Sequence, residues 1–386
     1  MKNRFFWLLA VLCLNSMACR DKGFVDEYSG IIHRGQKDIA IREVSLDTLF
    51  VDGSHTSLDG EWHLNGDKLY FIDRSLVGVK EFALDGQYIG SHIERGRGPN
   101  EVLQSMLAGD FTGIGDFVAM DRGWTVSLFN KDFEKKKSYL LFEDLDNDAQ
   151  VWDDLMKNPD PEEHRMYEFF INSKSIRFLK DQIIIPVITE HVDYNGFYKT
   201  ANSQNFWLES YNFLMIDIEN GKTGKLFGHY PPIFRESNMP AFSLLNFDTG
   251  DGYLYCSYGA DSLIYVRDVE GKLVKCMGFA ASSVKGEYPE TSTFEEYSQY
   301  SMQHRKKYGY YKQIKAVNGY LFRSYKKDGD AGYGLQIYKG EDLVGDVDFA
   351  EELYVIGYAE GFYYGVLPVD MEAVRFRIVR FKLNIN

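Results

Sequence analysis

The sequence is short of positive charge, and this shortage excludes one class of partner. It contains 43 Lys and Arg residues against 57 Asp and Glu residues, which gives a formal net charge of −14 at pH 7. A surface with this balance repels the phosphate backbone of nucleic acids. We therefore expect no nucleic-acid partner.

Proline is also scarce, with 9 residues in 386, whereas Tyr and Phe are abundant at 27 and 28 residues. Aromatic side chains favour β-strands and proline disfavours them. Hydrophobic residues at 45% and charged residues at 26% are typical of a globular protein with a substantial core. The composition predicts a folded chain that is rich in strands.

The apolar run at the N-terminus is too short to span a bilayer. Lys2 and Arg4 precede the apolar stretch 5–14, and small residues lead to Cys19. A spanning helix needs about 20 apolar residues, whereas this layout is typical of an export signal. It resembles the bacterial lipoprotein signal, in which the cysteine carries lipid and becomes the new N-terminus. A soluble secreted protein or a retained signal anchor remains an alternative.

This interpretation divides the chain into three parts. Residues 1–18 form the signal peptide, residues 19–35 form a lipidated tether, and residues 36–386 form the folded domain. The net charge becomes −16 after cleavage, because two basic residues leave with the signal. The expected location is the cell envelope, with the membrane contacted through the lipid of Cys19.

Cysteine is nearly absent from the folded domain. Cys13 leaves with the signal and Cys19 carries lipid, so only Cys256 and Cys276 remain. Two cysteines without a nearby histidine pair do not provide a zinc site. We expect them on strands separated by a third strand, about 10 Å apart, which is too far for a disulfide. The sequence predicts buried free thiols.

A turn residue followed by a short apolar run recurs six times, and each run is followed by a second alternating run. The runs begin at residues 68, 117, 182, 253, 320 and 362. Short turns such as Asp85-Gly86 and Asn220-Gly221 connect strands further along each unit, and these dipeptides favour β-hairpins. Six units of four antiparallel strands predict an all-β protein, a six-bladed β-propeller. A β-sandwich is the alternative.

The sixth unit ends at its third strand, close to the C-terminus. Its missing fourth strand is available from the N-terminal segment 38–44. This pairing would close the ring between the two chain ends and remove an exposed edge. We therefore predict that the N-terminal segment closes the propeller.

The first unit carries a resemblance to a known family. The run 69–73 is followed by Asp85-Gly86 and then by Gly96-Arg97-Gly98-Pro99-Asn100-Glu101. This order resembles NHL-type and TolB-like propellers, and most closely the six-bladed propeller lipoproteins of Bacteroidetes. In that family a glycine stands where this chain has Asn100. The resemblance implies a propeller fold and an outer-membrane location, and it leaves the biochemical role open.

The long connections between strands are predicted to lie on one face. They span about 94–105, 143–174, 188–210 and 280–311, and the last contains a predicted helix over 294–311. Connections from second to third strands and from fourth to first strands leave an antiparallel blade on the same side. We expect the ligand-binding face there, around the central channel.

Two groups of residues on these connections are candidates for ligand binding. The first lies in the blade-three connection and comprises His191, Tyr194, Tyr198 and Trp207. Rings interleaved with amides suit sugar stacking or a protein contact, or they pack the connection onto the propeller. The second lies in the glycine-rich stretch and comprises Arg95, Arg97, Asn100 and Glu101. Its two arginines could bind a carboxylate or a sulfate. The alternative is that the stretch only shapes the crossover between two blades.

The sequence contains no signature of a catalytic site, a metal site or a cofactor. It lacks the nucleophile elbow and the zinc-protease helix, and the acidic stretch 144–148 lacks the glycine and glutamate of a calcium loop. We expect a binding module that takes a glycan or an envelope protein, in a role such as nutrient uptake. A hydrolase or lyase acting on a saccharide is the alternative.

The lipoprotein interpretation predicts a specific loss on mutation. In a Cys19→Ser variant, the thiol that receives the lipid is absent, so labelled fatty acid should not be incorporated and the protein should leave the membrane fraction. The measurement is metabolic labelling with fractionation. Label on the variant at the wild-type level would contradict lipidation at Cys19.

Overall fold

The computed structural model describes residues 26–141, 149–170, 176–189, 191–197 and 201–384. The predicted signal peptide, Cys19 and the acidic stretch 144–148 lie outside these residues. The described chain folds into six antiparallel four-stranded blades around a central channel, so the predicted six-bladed β-propeller is confirmed.

The strands follow the chain blade by blade. The N-terminal segment forms β1 (Lys37–Ile41) and β2 (Asp47–Asp52). Blade one contains β3 (Gly60–Asn65), β4 (Lys68–Asp73), β5 (Gly78–Ala83) and β6 (Tyr88–His92). A short parallel pair follows, β7 (Glu94–Arg95) and β8 (Glu101–Val102). Blade two contains β9 (Met106–Phe111), β10 (Phe117–Asp121), β11 (Thr125–Phe129) and β12 (Lys135–Leu140).

The remaining blades continue this order, with one extra strand in blade three. Blade three contains β13 (Tyr167–Phe169), β14 (Arg177–Leu179), β15 (Gln182–Thr189), β16 (Tyr211–Asp217) and β17 (Thr223–His229). Blade four contains β18 (Leu245–Gly250), β19 (Tyr253–Tyr258), β20 (Ile264–Arg267) and β21 (Leu273–Met277). Blade five contains β22 (Tyr310–Val317), β23 (Tyr320–Lys326), β24 (Tyr333–Lys339) and β25 (Asp342–Phe349). Blade six contains β26 (Tyr354–Ala359), β27 (Phe362–Asp370) and β28 (Arg375–Phe381).

The helices lie in the connections. They are α1 (Ala149–Lys157), α2 (Ala201–Glu209), α3 (Ile233–Glu236) and α4 (Phe294–Lys307), with short 3₁₀ turns at His164–Met166 and Pro240–Phe242. Helix α4 begins where the Thr293 hydroxyl accepts a hydrogen bond from the Glu296 amide at 3.1 Å. Its last turn carries His304 and three basic residues, which suit the negative end of the helix dipole. The predicted helix is therefore present but ends four residues early.

Tight turns join the first two strands of several blades. Asn318 and Gly319 between β22 and β23 both have positive φ, at 51° and 73°. Asp251 and Gly252 between β18 and β19 also have positive φ, at 52° and 80°. A two-residue hairpin turn needs positive φ at both central positions, which Asn, Asp and Gly tolerate best. The turn dipeptides thus fix the strand pairs that the repeat predicted.

Aromatic side chains fill the spaces between blades. Trp62 of blade one packs on Phe71 and Phe82 of its own blade and on Phe376 of blade six, with ring centroids 5.0–5.2 Å apart. Offset and edge-on contacts of this kind add to the free energy gained by burying the rings. This explains the high Tyr and Phe content that accompanies the fold.

The strand that closes the ring is β2 rather than the predicted segment 38–44. Residues 47–52 of β2 pair antiparallel with β28 over six consecutive residues, and Val51 is fully buried. Strand β1 instead runs parallel to β25 as a fifth strand of blade five. There Ile41 lies over Gly345, where an added Cβ would come within 3.1 Å of the Ile41 Cβ. The glycine provides the space for β1 on that edge.

The described part of the tether segment, residues 26–35, packs on blades three and four. The Glu27 carboxylate accepts two hydrogen bonds of 2.7 Å from the fully buried guanidinium of Arg267. His33 forms a parallel bridge with Cys276 on the outer strand of blade four. Residues 26–35 therefore belong structurally to the propeller.

Both cysteines of the described domain are free and buried, as predicted. Cys256 lies on β19 and Cys276 on β21, with β20 between them. Burial raises the pKa of the Cys256 thiol to about 12, which keeps it protonated and unreactive at neutral pH. Within the described ranges, no helix is long and apolar enough to cross a membrane.

Candidate functional site

A cavity of about 630 Å³ lies at one mouth of the central channel. The first strands of successive blades contact one another around the axis, as β18, β22, β26 and β3 show. The cavity is lined by the beginnings of β3, β14, β18, β22 and β26, by the ends of β4 and β27, by the beginning of β28 and by α4. We call it the channel-mouth cavity.

The position of the cavity matches the predicted binding face. Where first strands begin and second strands end, the long connections also leave the blades, including the one that carries α4. The opposite ends of these strands are joined by tight turns. The insertion-rich face and the channel-mouth cavity are therefore on the same side of the propeller.

One wall of the cavity is apolar. It is formed by Leu58, Trp62, Phe71, Val366 and Phe376. The Trp62 side chain is 6% exposed, and its indole N–H has no hydrogen-bond partner among the described residues. A buried donor without an acceptor costs free energy, which a hydrogen bond to an acceptor would recover.

Polar side chains elsewhere on the lining, which we call the polar wall, carry both signs of charge. Lys312 forms an ion pair with Glu352, and the Tyr354 hydroxyl donates a hydrogen bond to the same carboxylate. Arg74 is held by Asp59 at 2.8 Å. Arg305 from α4 completes this wall. The cavity thus combines an apolar surface with fixed charged groups, an arrangement typical of small-molecule sites.

Beneath the cavity, an ionic network joins the first strands of five blades. Arg177 of blade three, which also lines the cavity, is 6% exposed. Its Nε lies 2.6 Å from Asp248 of blade four, its Nη1 3.5 Å from Asp110 of blade two, and its Nη2 3.4 Å from Glu61 of blade one. Lys315 of blade five lies 3.3 Å from Asp248. We call these residues, together with His63, the channel network.

Two members of the channel network, Asp110 and Arg177, are held in the ionised form by their partners. Burial alone would raise the pKa of Asp110, but Arg177 and His63, whose Nδ1 lies 3.0 Å from the carboxylate, lower it to about 2. Burial likewise would lower the pKa of Arg177, and Asp110 and Asp248 instead raise it. Buried ions are tolerated only when paired in this way, so each member depends on the others.

The predicted glycine-rich group does not reach the cavity. Arg95 and Arg97 are exposed, on and beside the short parallel pair β7–β8. The Glu101 carboxylate accepts a hydrogen bond from the Gly98 amide, and the Asn100 side-chain oxygen accepts one from the Lys135 amide at 3.0 Å. These contacts shape the crossover between blades one and two.

Trp207, the predicted sugar-stacking ring, is 2% exposed. Its indole N–H donates a hydrogen bond of 2.7 Å to the Asn238 side chain. Its ring stacks on Phe234 with centroids 5.2 Å apart and meets Tyr230 edge-on. Trp207 therefore packs the blade-three connection onto the propeller.

The other members of that group also make internal contacts. The His191 Nδ1 accepts a hydrogen bond from the Asp193 amide, which assigns the proton to Nε2, and Nε2 donates to the Met156 carbonyl of α1 at 3.1 Å. The buried Tyr194 hydroxyl donates to Glu209 at 3.1 Å. Tyr198 lies outside the described residues. The described members of this group do not line the channel-mouth cavity.

The channel network was missed by the analysis of motifs, although the sequence contains a signal for it. In five of the six repeats a charged residue precedes the start of the second strand by five or seven positions: Glu61, Asp110, Arg177, Asp248 and Lys315. Charged side chains that recur at similar places in these five first strands face one another across the channel. Comparing the repeats position by position would have found the network.

Two carboxyls with raised pKa values lie away from the cavity. Burial raises the pKa of the carboxyls of Asp261 and Asp346, and neither lines the cavity. Among the described residues, no three His, Cys, Asp or Glu side chains are grouped to hold a metal ion.

Comparison with known proteins supports the fold. No family model and no curated protein matches the chain. A member of the DUF4221 family from Bacteroides vulgatus superposes with a TM-score of 0.68 at 13% identity, covering 89% of this chain and 99% of its own. A Bacteroides fragilis protein that is named as exported gives 0.54 at 12% identity, covering 91% and 99%. At such low identity the likeness shows the propeller architecture alone.

Removing the central cation should destabilise the propeller. Arg177→Met leaves Asp110, Asp248 and Glu61 without their shared partner, so we expect the free energy of unfolding at pH 7 to fall by about 3–5 kcal/mol. Urea denaturation measures this change. The matched control is Arg380→Met, which removes an exposed ion pair to Asp47 and should change stability little.

The effect of Arg177→Met should depend on pH with a defined sign. In the wild type the pKa of Asp110 is about 2, below its unfolded value of about 3.9, so its pairing stabilises the protein above about pH 4 and is lost as the pH falls towards 2. The variant lacks most of this contribution. The difference between variant and wild type should shrink below about pH 4, and a constant difference would contradict the role of the network.

Proposed function

We propose that this protein is an exported, lipid-anchored binding protein whose channel-mouth cavity takes a saccharide in glycan or nutrient uptake. The observation that carries the proposal is the cavity itself. Its volume of about 630 Å³ lies within the range of roughly 300–1,000 Å³ found for small-molecule sites. The cavity combines an apolar surface for one face of a sugar ring with polar groups for its hydroxyls.

The place of the cavity supports a binding role as well. The beginnings of five first strands surround it, and the channel network ties four of them together: β3, β14, β18 and β22. A site built on rigid strands keeps its geometry before the ligand arrives, which lowers the entropic cost of binding. The connections on the same face can vary without disturbing this base.

Export and lipid anchoring are proposed from the N-terminal signal and Cys19. The structurally similar Bacteroides fragilis protein is named as exported, which supports export of this protein as well. The Bacteroidetes propeller lipoproteins that the first repeat resembles point to the outer membrane. A binding protein held there would capture its ligand close to the membrane.

Binding is better supported than hydrolysis. Glycoside hydrolysis needs one carboxyl that keeps its proton and a second that stays ionised. Both carboxylates that line the cavity have cationic partners: Glu352 pairs with Lys312, and Glu61 pairs with Arg177. Both carboxylates of the lining are thus held in ion pairs, an arrangement that favours binding.

A variant that fills the cavity tests the proposal. The side chain of Gln313 on β22 is half-buried and lines the cavity. In Gln313→Trp the larger ring should weaken binding of mono- to trisaccharides at least about tenfold, which is about 1.4 kcal/mol. Saturation-transfer NMR with a panel of neutral and acidic saccharides measures the loss.

The matched control makes the same substitution on the opposite face. Gln87 is exposed beside the tight turn between β5 and β6, so Gln87→Trp should bind the panel as the wild type does. Binding that survives in Gln313→Trp, or that falls equally in both variants, would contradict the assignment of the cavity.

A further inference from the structure

Arg305 is the one group of the polar wall whose charge has no counter-ion among the described residues. It lies on α4, which packs on the 3₁₀ turn at Pro240–Phe242. Its Nε donates a hydrogen bond of 2.8 Å to the Ala241 carbonyl, and its two terminal nitrogens have no partner in the described chain. The guanidinium is thus oriented by the protein while its fork of donors is left available.

The other charges of the cavity are already matched. Glu352 is paired with Lys312, Glu61 with Arg177, and Arg74 with Asp59. These pairs leave no carboxylate on the lining to neutralise Arg305. The excess charge at the channel mouth is therefore positive, although the chain as a whole has a net charge of −14.

A second observation points to the same kind of ligand. The indole N–H of Trp62, a residue of the apolar wall, is buried and has no acceptor among the described residues. The unpaired groups of Trp62 and Arg305 are thus both hydrogen-bond donors. A ligand with an acceptor-rich group would satisfy them, whereas a second donor would not.

Building on the proposed function, we infer that the ligand is an acidic saccharide whose carboxylate or sulfate group binds Arg305. A planar guanidinium binds such oxyanions through two parallel hydrogen bonds, and a fixed orientation reduces the entropy lost on binding. The apolar wall then takes the ring of the sugar. A uronic acid and a sulfated sugar share this chemistry, and the experiment distinguishes them.

Isothermal titration of the full mature protein tests the inference with three probes. These are digalacturonate, its neutral counterpart galactobiose, and galactobiose 6-sulfate. The wild type should bind at least one anionic probe ten or more times as tightly as galactobiose, and the preferred anion identifies carboxylate or sulfate. Added salt should weaken that preference, because it screens the charge of Arg305.

Variants on α4 assign the preference to one side chain. In Arg305→Gln the anionic and neutral probes should bind about equally. Arg305→Lys keeps the positive charge but loses the paired N–H donors of the guanidinium, so it should retain part of the preference for anionic probes. Lys306→Gln is the matched control: it removes the same charge from the next residue, which is exposed and does not line the cavity. Helix α4 has no buried residue, so these variants should fold.

The outcomes separate this inference from the proposed function. If no anionic probe binds the wild type, if galactobiose binds as tightly, or if Arg305→Gln keeps the preference, the inference is overturned. The proposed function survives those results when Gln313→Trp still weakens binding of neutral saccharides. It fails, by contrast, if binding of every probe is unchanged in Gln313→Trp.

Discussion

The centre of the ring depends on the ion pairs of Arg177. A guanidinium buried where the first strands converge would be strongly unfavourable without partners, and the structure supplies carboxylates from blades one, two and four. Because each partner belongs to a different blade, the geometry of the network requires these blades to keep one relative position. The same positions set the base of the channel-mouth cavity, so stability and the candidate site rest on one interaction.

The N-terminal segment secures the outside of the ring. Glu27 neutralises the buried Arg267 between blades three and four, β1 extends blade five, and β2 completes blade six. Residues 26–52 thus contact four consecutive blades. Strand pairing between β2 and β28 closes the propeller on the outside, and the channel network joins the blades around the central channel.

Much of the fold could be predicted from the sequence, because each blade repeats the same local pattern of turn and strand. The closing strand could not be predicted, because 38–44 and 47–52 both contain a short apolar run. The choice between them depends on contacts with β28 and with Gly345. The face of the site followed from loop lengths. Its residues did not, because the burial of Trp207 under Tyr230 and Phe234 is a tertiary property. The recurring charges of the first strands were readable but require the repeats to be aligned.

The central claim is that the channel mouth binds the ligand. A crystal structure of the protein soaked with digalacturonate tests it most directly. We predict density for the sugar between Arg305 and the wall that contains Trp62, with the carboxylate within hydrogen-bond distance of the guanidinium. Density confined to the blade-three connection near His191, to the β7–β8 crossover or to the face with the tight turns would contradict the account.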